Sequence, residues 1–96
     1  METVDEYLRL AEEAEKANAH VASSTYYRNA IEGMGYTHCA APSLLKSIKN
    51  AQRLKKNEDR KAIADWGQDA LERVKPEISL ERTINLELAE LRTSVK

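Results

Sequence analysis

The sequence predicts an all-α fold: a four- or five-helix bundle that reads as two helical hairpins plus a C-terminal helix, within a single helical domain spanning 1–96. Three observations predict it. Apolar residues recur every three or four positions along most of the chain, the spacing that places them on one helix face. Much of the 42% apolar fraction is alanine, a strong helix former. The two prolines, Pro42 and Pro76, fall between the periodic stretches, where they end or begin helices.

Helix 1 has the clearest start. Thr3 and Glu6 form a T-x-x-E capping box, in which each side chain can satisfy an orphaned backbone N–H. Val4, Tyr7, Leu8, Ala11 and Ala14 then make one apolar stripe. Asn18-Ala19-His20 reads as the turn, because asparagine tolerates the left-handed conformation that closes a helix. Helix 2 fits from about Val21 to Met34, with Ser23, Tyr27, Ala30, Ile31 and Met34 inward and Gly35 as its stop. Tyr26 and Tyr27 lie about 100° apart on this helix, so one packs and the other faces outward.

Residues 36–42 read as the main loop. Pro42 disfavours helix at Ala41, and Ser43 offers a cap for the next helix. Helix 3 carries Leu44, Ile48, Ala51 and Leu54 inward; helix 4 carries Ala62, Ile63, Trp66, Ala70, Leu71 and Val74. The apolar face changes phase at Asn57-Glu58-Asp59, which separates the two unless 44–75 runs as one long helix. Pro76 ends this region. Helix 5 starts near Ser79, and Ile84, Leu88, Leu91 and Val95 follow the 4-3-4 spacing of a coiled-coil seam.

The interior of such a bundle is thin. There is no phenylalanine and a single tryptophan, and Leu, Ile and Val make up about a fifth of the chain, low for a packed domain. Short chains with thin cores often complete their burial by associating. The expectation is therefore a homo-oligomer or partner-bound protein, with Ile84, Leu88, Leu91 and Val95 as the oligomer interface. No apolar run reaches the roughly 20 residues that span a bilayer, and no secretory signal is visible, so the reading is no membrane and a cytoplasmic location.

A faint repeat runs through the chain. Placing each residue over the one forty positions on aligns Leu8 with Ile48, Ala11 with Ala51 and Ala14 with Leu54. It also aligns Ala22, Tyr26 and Ala30 with Ala62, Trp66 and Ala70. Small residues four apart let helices approach closely, and the aromatic between them anchors the contact.

The run Tyr7, Leu10, Ala11, Ser23, Tyr27 and Ala30, within residues 4–35, resembles a tetratricopeptide repeat. Ala11 stands where that family has glycine, and Gly35 where it has proline. The first hairpin is also similar to microtubule-interacting-and-transport domains. Either resemblance implies a protein- or peptide-binding scaffold without catalysis, and carries over no functional residues.

Charge is the most informative feature. Residues 1–40 hold seven acidic and three basic side chains, residues 41–61 two acidic and seven basic, and residues 62–96 seven acidic and five basic. On a helix continued through Arg60, the side chains of Lys46, Lys49, Arg53, Lys56 and Arg60 fall within about 80° of one another. They form a basic ridge opposite Leu44, Ile48, Ala51 and Leu54. Three readings stay open for it: a solvated or internally paired face, a dock for an acidic protein, or phosphate contact with nucleic acid along 44–61. Acidic flanks and the absence of interleaved aromatics weigh against the last.

His38-Cys39 is the one place where two soft ligands sit together, short of the four that a zinc site takes. No phosphate loop, zinc-protease or nucleophile-elbow motif is present. The sequence is thus read as a non-enzymatic interaction module, adaptor or regulatory, with no catalytic or metal residues and no cofactor. The alternative is a nucleic-acid-binding regulator.

Overall fold

Local stop signals set the helix boundaries. Thr3 accepts a hydrogen bond from the Glu6 backbone N–H through Oγ1 (3.2 Å) and starts α1, Val4–Lys16. Asn18 takes φ 60° and turns the chain into α2, His20–Gly33. Gly35 (φ 73°) closes α2 in the left-handed region, which costs glycine nothing. A 3₁₀ turn at His38–Ala40 leads into α3, Ala41–Ala51. Next comes α4, Asn57–Val74, ended by Lys75 at φ 50° just before Pro76, and then α5, Ile78–Thr93. This computed structural model describes residues 3–94 and is all-α, a five-helix bundle.

Two expectations about the middle of the chain are corrected. Ala41 is helical, and Pro42 sits in the first turn of α3, where its missing N–H removes no helical bond. Ser43 therefore lies inside the helix, buried, rather than capping it. The stretch 44–75 is two helices, and the break falls at 52–56. Asn57-Glu58-Asp59 is the first turn of α4, where Glu58 and Asp59 meet the positive end of the helix dipole. Leu54 is buried, as expected, but from the turn and not from a helix.

Helix α3 is the hub: it packs on α2 at one side and on α4 and α5 at the other, while α1 packs mainly on α2. The result is a slab with Cα extents of 37 × 31 × 18 Å. Leu44, Ile48, Ile63, Leu71, Val74, Ile84, Leu88 and Leu91 form the aliphatic core between α3, α4 and α5. Gly67 sits where these helices press together: a Cβ there would lie 3.1 Å from Leu88 Cδ2 and 3.4 Å from Ile48 Cγ1. Ala62, expected inward, is exposed.

The terminal seam is also corrected. Ile84, Leu88 and Leu91 are 0–2% exposed because α5 lies across α3 and α4 of its own chain. The partner surface that the seam needs is internal, so these residues are not free to hold a second copy. What α5 turns outward is Ile78 and Leu86. Val95, the last residue of the expected seam, lies outside the described residues.

The forty-residue register recurs in the backbone. Gly35 and Lys75, one register apart, are both left-handed, and His38 and Ile78, again one register apart, each open the next helical segment. Of the two tyrosines, Tyr27 packs (1% exposed) and Tyr26 lies outward against Tyr7, ring centroids 6.4 Å apart.

Candidate functional site

Two helix starts meet at one edge of the slab. Helix α2 begins after Ala19 and α4 after Lys56, and neither is capped by a side chain. The start of α2 presents the positive end of its helix dipole with no acid in its first turn, whereas Glu58 and Asp59 already meet that of α4. Between them runs a trough of connected clefts. The larger, about 650 Å³, is lined by Asn18, Ala19, His20, Val21 and Ala22 from the start of α2, and by Arg53, Leu54, Lys55, Lys56 and Asp59 from the turn and the start of α4. Its walls are largely apolar, and Val21 stands 59% exposed there. Asp59 is the one acid among its lining residues.

A second cleft of about 390 Å³ shares Asn18, His20 and Arg53 with the first, and adds Glu15, Lys49, Asn50 and Gln52. Its back wall is a hydrogen-bonded chain across three helices. Asn50, 3% exposed, donates from Nδ2 to Glu15 Oε2 (2.7 Å) and to the Lys46 carbonyl (2.9 Å). Its Oδ1 lies 3.0 Å from His20 Nδ1. Gln52 donates to the Glu87 carbonyl (2.9 Å) and carboxylate (2.6 Å), tying the turn to α5.

The expected basic ridge is split by the helix break. Lys49, Arg53 and Lys56 line the trough. Lys46 instead lies over the Tyr27 ring, 5.8 Å from its centroid. Arg60 is structural: it donates to the Leu54 carbonyl (2.5 Å) and to Asn57 Oδ1 (2.6 Å), clamping the turn that ends α3. The ridge fails as a single face because its geometry assumed one unbroken helix. Sequence reasoning missed Lys55, Asn50, Val21 and the role of His20. Ala19 in a cap position, without a side-chain oxygen, was the legible hint of an open helix start.

Two other groups stand apart from the trough. Cys39 Sγ lies 3.8 Å from His38 Nε2, both exposed on the 3₁₀ turn. Among the described residues no three His, Cys, Asp or Glu side chains converge as metal ligands. The Tyr27 hydroxyl is buried with no hydrogen-bond partner among the described residues. Desolvation by burial, with Glu15 and Glu12 adding to it, pushes its pKa from 10.0 up to about 12.

No helix among the described residues is long and apolar enough to cross a membrane. No known protein family, curated protein or solved structure matches this chain.

Proposed function

We propose that this protein is a non-catalytic interaction module whose trough receives an acidic, amphipathic segment of a partner protein. One observation carries the reading: two uncapped helix starts and the cations Arg53, Lys55 and Lys56 border a cleft whose walls are apolar. Apolar walls favour an aliphatic or aromatic anchor, since each buried apolar side chain adds roughly 1.5–3 kcal/mol. The positive rim favours carboxylates beside that anchor and speeds encounter with an acidic surface. Nothing in the arrangement pairs a nucleophile with a base, so binding is the chemistry it supports.

The test is capture of a defined ligand. A synthetic amphipathic peptide of leucine and glutamate should bind, with affinity falling as salt rises because the rim is solvent-exposed. The Arg53→Glu/Lys56→Glu double variant should bind at least about tenfold more weakly, the loss of roughly 1.4 kcal/mol. Arg82→Glu, exposed on α5 in a separate cleft with Asn85 and Leu86, should leave affinity unchanged. Equal binding by the double variant would remove the trough from consideration. Tighter binding of a labelled single-stranded oligonucleotide than of the peptide, lost in the same double variant, would replace the acidic segment with a phosphate backbone.

A further inference from the structure

This inference rests on the trough being a carboxylate-binding cleft, and concerns how its narrower end works. We propose that a partner carboxylate seats against Nε2 of His20, and that seating it takes up a proton from solvent onto that nitrogen, so that binding is coupled to pH.

The argument begins at Asn50. Its amide nitrogen faces the Glu15 carboxylate at 2.7 Å and the Lys46 carbonyl at 2.9 Å. Both are acceptors, so Nδ2 is correctly the NH₂ end and the other amide atom is oxygen. That oxygen is 3.0 Å from His20 Nδ1, and two acceptors do not share a hydrogen bond. Nδ1 must therefore carry hydrogen and donate to Asn50. The tautomer is set by an anchor on a different helix, not by the imidazole itself.

With Nδ1 committed to the wall, Nε2 is the ring nitrogen left for a ligand, and His20 lines both clefts. In the neutral ring Nε2 holds a lone pair. A carboxylate is acceptor-only, so it cannot bond to that lone pair. Contact becomes favourable once Nε2 takes a proton from the acid form of the buffer, which is left as its conjugate base; the new N–H then donates to the carboxylate. The charged groups that line the two clefts with His20 are Glu15 on α1, Lys49 on α3, Arg53, Lys55 and Lys56 in the turn, and Asp59 in the first turn of α4. Glu15 already accepts from Asn50, which leaves Lys49 and Arg53 to attract the incoming carboxylate while Val21 and Leu54 take its apolar neighbour. The site thus reads an acidic residue next to an apolar one.

Calorimetric titration of the leucine–glutamate peptide in phosphate and in Tris at one pH measures the coupling. The expected result is a heat that differs between buffers in the direction of net proton uptake. With His20→Gln the uptake should vanish and affinity should fall about tenfold, the range of a charge-assisted hydrogen bond. The matching glutamine peptide should bind wild-type protein more weakly and without uptake. Long-range proton–nitrogen NMR gives an independent reading on unmodified protein: His20 should show hydrogen on Nδ1 before peptide is added and on both nitrogens after, at constant pH. Equal heats in the two buffers, uptake that persists in His20→Gln, or hydrogen on Nε2 alone in the free protein would each overturn the proposal. If the peptide binds and the Arg53→Glu/Lys56→Glu variant loses it, while no proton is taken up, the trough reading stands and this inference falls. If the peptide does not bind wild-type protein, both fall.

Discussion

The two sides of α3 are held by different physics. Toward α4 and α5 it presents Leu44 and Ile48 to Ile63, Leu71, Ile84, Leu88 and Leu91, all buried aliphatic side chains. Toward α2 it presents Ser47, and the contact is a reciprocal pair: Ser24 Oγ donates to the Ser47 carbonyl (3.2 Å) and Ser47 Oγ to the Ser24 carbonyl (3.1 Å). The theme continues outward, where Ser23 Oγ donates to the Ala11 carbonyl (3.0 Å) and joins α2 to α1. Small side chains bring these helix backbones close, so hydroxyls reach main-chain carbonyls that bulkier residues would hold apart. One sector is stabilised by aliphatic area removed from water, the other by close approach with hydroxyl-to-carbonyl hydrogen bonds. A chain poor in large apolar residues can thus build five packed helices by concentrating its aliphatic side chains between α3, α4 and α5.

The contrast breaks most visibly in the aliphatic sector. Leu91→Ala removes a fully buried side chain and leaves a cavity, and should cost about 3 kcal/mol in urea denaturation. A loss under about 1 kcal/mol would mean that this sector is not where stability resides. In the small-residue sector Ser47→Ala deletes one hydroxyl and leaves Ser24 with fewer partners. The expected cost is about 1–2 kcal/mol, set by unmet hydrogen bonding rather than by volume. If Ser47→Ala is neutral, the serine pair is incidental and α2 is held by packing alone.

The smallest effect has the opposite sign. Tyr27 fills the α1–α2 sector, but its buried hydroxyl has no partner among the described residues, so Tyr27→Phe should stabilise by up to about 1 kcal/mol. The same hydroxyl gives the sector an alkaline limit. Its folded pKa is raised to about 12 from 10.0, so the unfolded chain loses this proton first. The stability linked to Tyr27 is complete below pH 10 and is lost as pH rises through about 12. Denaturation across that window should show the loss in wild-type protein and a shallower one in Tyr27→Phe. Identical pH dependence would place the hydroxyl in contact with water.

Much of the fold was legible because its signals are local. Thr3, Asn18, Gly35 and Pro76 each act within a turn of their own position, and each marks the boundary expected of it. The all-α class and the burial of Leu44, Ile48, Leu71 and Val74 followed from spacing alone. The 4-3-4 seam was read correctly as an apolar face and assigned to the wrong partner, since periodicity says that Ile84, Leu88 and Leu91 need a surface, not whose. The ridge went wrong at a single joint: no glycine or proline marks 52–56, and the break there is held by Arg60 reaching the Leu54 carbonyl and by Gln52 reaching Glu87.

By itself, the sequence determined where α1, α2 and α5 begin, which face of most helices is apolar, and that positive charge gathers at 41–61. Only the tertiary structure decided that the starts of α2 and α4 share an edge, and that His20, Asn50 and Glu15 form one chain of hydrogen bonds. The reason is one of range. Capping and periodicity are interactions between residues a few positions apart, whereas Asn50 meets His20 and Glu15 across separations of 30 and 35 residues. Contacts at that distance come into being only when helix α3 is laid between its neighbours.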